Sequence, residues 1–177
     1  MSDFITITKL DASRRQLEMS IMMFFLEKDH VCVHTLAAAS NEVLQDLLKH
    51  YHGKSTESEW LEVIKEDKRD EVRKMMRNPQ NYFKHANNDP EGVLRFYYKS
   101  TKFIIFQAVE AYSKLTKKLT TKMIIFRAWF YLENPEVLTK DKDKLTLKEI
   151  SKTINSKDKK QFLDLIPIIE SRLLENV

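Results

Sequence analysis

The stretch that decides the fold is residues 17–26, LEMSIMMFFL. Leu17, Ile21 and Phe24 recur at intervals of four and three residues, the spacing that places side chains on one face of an α-helix. The apolar residues around them predict a helix that begins after Asp11 and is buried on more than one side. The apolar run is far shorter than the roughly 20 residues of a membrane span, so we expect no membrane partner.

Helical spacing recurs along the rest of the chain. We predict helices at 35–50, at 101–117, at 121–133 and after 156. Pro167 lies inside the last helix and should kink it, because proline removes the hydrogen bond to the carbonyl of Leu163. Residues 93–98, VLRFYY, have strand-like chemistry, but a strand without a partner predicts an extended connection. The predicted fold class is all-α: a single-domain helical bundle of about six to eight helices, the last one kinked.

Length and composition fit one helical domain over residues 1–177, with a lysine-rich linker at 138–146 before the C-terminal helices. Between Lys140 and Lys160 eight lysines face four acids, a stretch that could meet phosphates but is more often a solvated linker and helix face. The single cysteine, Cys32, excludes an intramolecular disulfide and suits a reducing cytosol, so we expect a cytoplasmic protein. Because Cys32 stands between two valines, we expect it to be buried.

Residues 77–90, RNPQNYFKHANNDP, hold the candidate functional chemistry. Asn78 followed by Pro79 is a typical helix start, with asparagine as the cap and proline at the first helical position. We therefore predict a short separate helix over residues 79–88.

The candidate site residues in this stretch are His85 as a catalytic group and four ligand-binding side chains, Arg77, Asn81, Lys84 and Asp89. A four-residue spacing should place Asn81 and His85 on one partly exposed helix face. Arg77 precedes the predicted cap, where the helix dipole favours a bound anion, so a phosphate-bearing ligand or RNA is a candidate partner. Structural roles compete with these: Asp89 also fits a turn before proline.

We expect neither a metal nor a cofactor. His30 and His34 have a ligand-like spacing, but the helix is predicted to begin only near Thr35, and no carboxylate follows at a zincin-like position. Two separated glycines cannot form a glycine-rich phosphate loop.

Three quoted segments carry a resemblance: KLDASRRQLEMSIMMFFLEKDHVCVHTLAAASNEVL, NYFKHANNDPEGVLRFYY and FRAWFYLENPEVL. Across them the chain resembles a bacterial family of small, all-helical, uncharacterised proteins, and this resemblance implies no activity. More remotely, two long helices followed by a short helix with asparagine and histidine are similar to the HEPN superfamily of helical bundles. Many members of that superfamily are dimeric ribonucleases with an arginine and a histidine four to six residues apart, often as Arg-Asn-x-x-x-His.

The HEPN resemblance carries over to Asn81 and His85, which match the asparagine and histidine of the pattern. Gln80 occupies the arginine position, and the nearest arginine, Arg77, is separated from His85 by seven residues. This departure removes the cation that would stabilise the phosphate during cleavage.

Two functions therefore remain open. The first is a cytoplasmic helical binding or interaction protein of unknown ligand that self-associates as a homodimer. Its basis is the wide apolar faces of the helices at 17–26 and 121–132, which could also be central in a monomer. The alternative is a metal-independent, HEPN-like ribonuclease with His85 as general acid or base and Arg77 or Lys84 next to the phosphate. Whether the protein is an enzyme stays open at this stage.

Overall fold

The computed structural model describes residues 3–57, 59, 66–87, 89–137, 148–149 and 152–175, and within them it contains six α-helices and no strand. The helices are α1 (Lys9–Phe25), α2 (His30–His52), α3 (Glu66–Lys84), α4 (Thr101–Thr116), α5 (Thr121–Glu133) and α6 (Lys159–Glu175), with single 3₁₀ turns at Tyr98–Ser100 and Pro135–Val137. The all-α class and the predicted helix number are confirmed.

The second helix begins earlier than its apolar spacing predicted. Asp29 caps it, since its carboxylate accepts a hydrogen bond from the Cys32 backbone N–H at 2.9 Å. Helix α2 therefore starts at His30, five residues before Thr35, and the predicted start is wrong because the cap lies outside the apolar pattern. One consequence is that His30 and His34 share this helix.

The ends of α2, α4 and α5 agree closely with the sequence. Gly53 terminates α2 in the left-handed conformation with φ of 73°, which a residue without a side chain adopts easily. Asn134 ends α5, and its side-chain amide donates to the Phe130 carbonyl at 2.7 Å. The connection at 92–97 is neither helix nor strand, as predicted for VLRFYY.

Helix α3 contradicts the prediction of a separate helix beginning at Pro79. The chain is continuously helical from Glu66 to Lys84, so Asn78 is an interior residue and not a cap. Proline removes one backbone hydrogen bond, and the remaining bonds of the long helix continue past it. The helix stops before His85, whose N–H still donates to the Asn81 carbonyl at 3.1 Å. Pro167 is likewise inside a continuous helix, α6, and the kink stays a prediction.

One hydrophobic core joins α1, α2, α4, α5 and α6. Helix α2 packs most extensively against α1 and α4, while α6 packs against α5. The largest fully buried side chains are Phe126, Phe130, Phe162, Leu17, Ile21, Leu44, Leu48, Ile105 and Met123. Burying each of them stabilises the fold by about 1.5–3 kcal/mol before conformational entropy is subtracted.

Most of the apolar surface of α1 and α5 is covered inside the monomer, while Met19 and Ile124 stay exposed. Phe25 of α1 stacks on Phe162 of α6 with ring centroids 5.8 Å apart and contacts Trp129 of α5 edge-on. Phe126 completes the cluster, fully buried next to Phe25. Both helices are thus central, so their apolar faces do not by themselves indicate a dimer interface.

Two sequence predictions lie outside the described residues: the lysine-rich linker at 138–146, and the end of the predicted short helix at Asn88. Among the helices that are described, none is both long and apolar enough to cross a membrane.

Candidate functional site

A polar cleft of about 350 Å³ lies between α2 and α3, with the start of α4 as its floor. Helix α2 contributes one stripe of side chains at intervals of three and four residues, from Ala38 to Lys49. Helix α3 forms the opposite wall with Met76, Arg77, Gln80 and Asn81. Because eleven residues separate the ends of the α2 stripe, the cleft is elongated, extending roughly 16 Å along that helix.

A chain of side-chain amides runs through this cleft. Gln45 donates from Nε2 to Oδ1 of Asn41 at 2.9 Å and to the Thr56 hydroxyl at 2.7 Å. Asn41 in turn directs its Nδ2 toward Oε1 of Gln107 at 3.4 Å. The Thr56 hydroxyl in turn donates to the side-chain oxygen Oε1 of Gln45 at 2.9 Å. The amide chain therefore joins α2 to α4 and to the segment that follows α2.

The last amide of the chain ends without a partner. Gln107 is only 1% exposed, and its Nε2 has no hydrogen-bond partner among the described residues. The Glu57 backbone N–H fixes this orientation, because it donates to Oε1 of Gln45 at 3.3 Å. Nε2 of Gln45 then faces the oxygen of Asn41, and the nitrogen of Asn41 faces the oxygen of Gln107. A buried donor left unsatisfied costs about 1–3 kcal/mol. Gln107 lines the floor of the cleft, and its side-chain N–H is a donor that the described residues leave unpaired.

The rim of the cleft carries nearly balanced charges. Its acids are Glu42, Asp46 and Glu57, and its cations are Lys49 and Arg77.

Some of the rim charges are already engaged. Arg77 binds Glu57 through Nη2 at 3.0 Å, and Glu42 accepts from Gln80 at 2.6 Å. Asp46 and Lys49 have no ion pair among the described residues. A near-neutral rim of this kind favours a neutral or zwitterionic molecule over a polyanion.

The structure brings together only part of the predicted site. Arg77 and Asn81 line the cleft, and Lys84 lies at its edge, where its ammonium is 3.3 Å from Glu42. His85 and Asp89 line none of the four cavities described in this part of the chain, and both are exposed. Asp89 closes a turn, since its carbonyl accepts from the Gly92 N–H at 3.2 Å.

Sequence reasoning missed Asn41, Gln45 and Gln107, the side chains that build the floor. A signal for Gln107 was present, because it is a single amide within the otherwise apolar run FIIFQAV. Asn41 and Gln45 also stand on the same face of α2, four residues apart. A buried amide in an apolar stripe needs a hydrogen-bonding group nearby. Here Asn41 accepts from Gln45 and donates to Gln107.

A second buried polar group, His34, lies under the predicted stretch. Its Nδ1 is 3.0 Å from the Thr101 hydroxyl, and the rings of Phe83 and Phe96 contact it edge-on. Burial lowers the pKa of His34 to about 4, so the ring is neutral at pH 7. His34 is therefore enclosed, whereas His30 on the same helix is exposed. In the described part of the chain no three histidine, cysteine or acidic side chains are grouped closely enough to hold a metal ion.

The prediction that Cys32 is buried is wrong. Its thiol is free and exposed in the first turn of α2, because the two flanking valines point in other directions around the helix. A hydrogen bond to the capping carboxylate of Asp29 raises the pKa of the Cys32 thiol. The residue therefore carries less thiolate than an ordinary cysteine, which is unfavourable for a nucleophile.

Comparison with models of protein families, with curated proteins and with solved structures finds no match to this chain. The fold and the cleft define only a class: an all-α protein with an amide-lined polar cleft between two of its helices. Function is therefore inferred from the chemistry of the cleft.

Proposed function

We propose that the protein is a binding protein whose cleft between α2 and α3 holds a small, neutral or zwitterionic molecule with a carbonyl or carboxylate oxygen. The unpartnered Nε2 of Gln107 carries this proposal, since a ligand oxygen would supply the acceptor that this buried donor lacks. A cavity of about 350 Å³ lies within the range of small-molecule sites.

The surroundings of the donor support binding more than catalysis. Neither histidine nor cysteine is among the residues lining the described cleft, and Arg77 is held by Glu57. The unengaged Asp46 and Lys49 would complement the two charges of a zwitterion at the rim. The amide chain orients Gln107 in advance, which lowers the entropy lost on binding.

The experiment is a screen of free amino acids, small carboxamides and dicarboxylates by nuclear magnetic resonance, which follows the side-chain N–H₂ signals of Gln107. A binding molecule should shift these signals in the unmodified protein. At a concentration 100 times its dissociation constant it should raise the melting temperature by roughly 5–10 °C. Gln107→Leu should abolish the rise in melting temperature.

His85→Ala provides the control, since this exposed side chain lies outside the cleft. It should leave the melting shift intact and change the free energy of unfolding by less than about 1 kcal/mol. Ligand binding that survives in Gln107→Leu, or a screen in which the signals of Gln107 never move, would contradict the proposal.

The ribonuclease alternative stays a prediction without a supporting contact. The His85 ring has no hydrogen bond or ion pair among the described residues, and the nearby cations, Arg77 and Lys84, are engaged by Glu57 and Glu42. Incubating the protein with single-stranded RNA in the presence of a chelator, with His85→Ala alongside, tests it directly. Self-association and a cytoplasmic location also stay predictions.

A further inference from the structure

A second cavity, of about 550 Å³, lies where the turn after α1 meets the starts of α2 and α4 and the end of α5. We call it the lysine pocket, because five lysines line it: Lys28, Lys99, Lys102, Lys157 and Lys159. Two acids, Glu27 and Glu133, also line it, so five positive charges less two negative charges leave an excess of three. This excess distinguishes the lysine pocket from the nearly balanced cleft.

The lysines are not all neutralised by the acids. Lys157 binds Glu133 at 2.9 Å and Lys159 binds Glu27 at 3.4 Å, while the ammonium groups of Lys28 and Lys99 have no partner among the described residues.

The pKa of Glu133 reflects the positive charge of the lysine pocket around it. Burial works against its ionisation, but a hydrogen bond to Ser156 and the ammonium groups of Lys157 and Lys102 together hold the pKa of Glu133 below its ordinary value. The pocket thus stabilises negative charge even at a partly buried position.

Aromatic rings form the rest of the wall. His30 and Tyr98 stack with centroids 4.0 Å apart and planes within 9°, and Tyr98 keeps 44% of its surface exposed. On the other side Phe24 contacts Trp129 edge-on at 4.8 Å, and the Lys159 ammonium lies 4.2 Å from the Phe24 ring. The lysine pocket therefore offers aromatic rings for stacking and ammonium groups for ion pairing. A planar anion makes both kinds of contact.

We propose that the lysine pocket binds a phosphorylated nucleoside, with its base against the aromatic wall and its phosphate near Lys28 and Lys99. A terminal phosphate carries about −1.5 to −2 charges at pH 7, which complements the excess of the pocket. A base stacks on aromatic side chains whatever its identity. The proposal is independent of the amide-lined cleft, which shares no lining residue with this pocket.

The phosphorylated nucleoside has two possible sources, a free nucleotide and the end of a single-stranded RNA. Both present a base next to a phosphate, so the residues of the pocket treat them alike. They differ in what displaces a bound probe, and the experiment is arranged to separate them.

The test measures fluorescence anisotropy of N-methylanthraniloyl-ADP with the full chain, followed by competition with unlabelled ADP, ribose 5-phosphate, polyglutamate and a short 5′-phosphorylated RNA. We expect the probe to bind and to be released by added salt, because lysine–phosphate contacts are screened. ADP should displace it, whereas ribose 5-phosphate at the same concentration should not. Displacement by the 5′-phosphorylated RNA at a much lower concentration than ADP would identify the RNA end as the source.

The variants share a matched control. Lys28→Ala with Lys99→Ala should weaken binding about tenfold, as expected for two screened lysine–phosphate contacts. Lys9→Ala with Lys118→Ala removes two exposed lysines outside the pocket lining and should change nothing. Tyr98→Leu should weaken binding of both the probe and unlabelled ADP while leaving the circular dichroism spectrum unchanged.

Three results would overturn the proposal. The first is the absence of binding by both ADP and RNA, and the second is an equal loss of affinity in the two lysine double variants. The third is displacement by ribose 5-phosphate or polyglutamate as effective as by ADP, which would show a site for charge without recognition of a base.

Discussion

The Ser40 hydroxyl of α2 donates a hydrogen bond to the backbone carbonyl of Ser13 in α1, at 2.8 Å. Both serines are fully buried, and the neighbouring residues of α2, Ala37 and Ala38, are small and buried as well. A side chain as short as serine reaches another helix's backbone only where the two helices approach closely. The two helices that carry much of the core therefore meet along a seam of small residues.

This seam gives the first prediction. Ser40→Ala should lower the free energy of unfolding by about 1 kcal/mol, the value of one hydrogen bond. Ser40→Leu should cost more, about 1–3 kcal/mol beyond that, because the added atoms force the helices apart. Urea denaturation measures both, with Ser171→Ala at an exposed position of α6 as the control. Equal stability of the Leu and Ala variants would show that the seam has room.

Stability should also depend on the protonation of His34. The unfolded chain binds a proton near pH 6.5 and the folded chain only near pH 4, so stability is complete above about 6.5 and falls as the pH drops toward 4. Protonation of the His34 ring should lower the free energy of unfolding by roughly 3 kcal/mol.

His34→Leu isolates this effect from the titration of carboxylates. We expect the free energy of unfolding of the unmodified chain, minus that of His34→Leu, to be smaller at pH 4 than at pH 7. The decrease should be roughly 3 kcal/mol. A difference that does not change with pH would mean that the ring is hydrated or protonated in the folded protein.

The amide chain predicts unequal effects of two similar substitutions. Gln45→Leu removes the partner of Thr56, of Asn41 and of the Glu57 N–H, and it should cost at least about 2 kcal/mol. Gln107→Leu removes one long contact together with an unsatisfied donor, so it should change stability by less than about 1 kcal/mol. Thermal or urea unfolding of both variants measures the ranking, and the reverse order would contradict the assigned direction of the chain.

The thiol of Cys32 should react fully but slowly in the native protein. Exposure predicts one equivalent of modification by a disulfide reagent, and the raised pKa predicts a rate that climbs only at alkaline pH. Asp29→Asn keeps a capping side chain and removes the negative charge, so modification should become faster at pH 8. An unchanged rate would show that Asp29 does not control the thiol.

The mass of the protein in solution tests self-association. Light scattering at micromolar concentration should give roughly twice the chain mass of 21.0 kDa if the predicted homodimer forms. A monomer at all concentrations would agree with the internal packing of Phe25 and Phe126 and would leave the apolar faces of α1 and α5 with a purely structural role.

Apolar spacing predicted a helix well where buried residues occur along its whole length. The expected helix at 121–133 matches Thr121–Glu133, because the side chains that set its period are also the ones that fill the core. Local start signals were less dependable. Asn78 and Pro79 together mark a helix start in isolation, yet they lie inside α3, which is already helical at Glu66.

The candidate site was harder to predict than the fold because its parts are distant in sequence. Asn41 and Gln107 are separated by 66 positions, and only the packing of α2 against α4 makes them neighbours. Arg77 and Asn81 were recognised since both lie in one short polar stretch. The pairing of Arg77 with Glu57 depends on how α3 folds back on α2, which no local pattern encodes.

Helix α3 packs chiefly against α2, and its link to the rest of the molecule includes the polar bridges from Arg77, Gln80 and Lys84 to two glutamates. Such a helix detaches by local opening at a lower free energy than global unfolding, so its backbone amides should exchange with deuterium before those of α4. Helix α3 is therefore both one wall of the cleft and the element whose local opening gives access to it. A molecule held between α2 and α3 must leave before α3 opens or the whole protein unfolds, so it would slow deuterium exchange in α3 and in α4 alike.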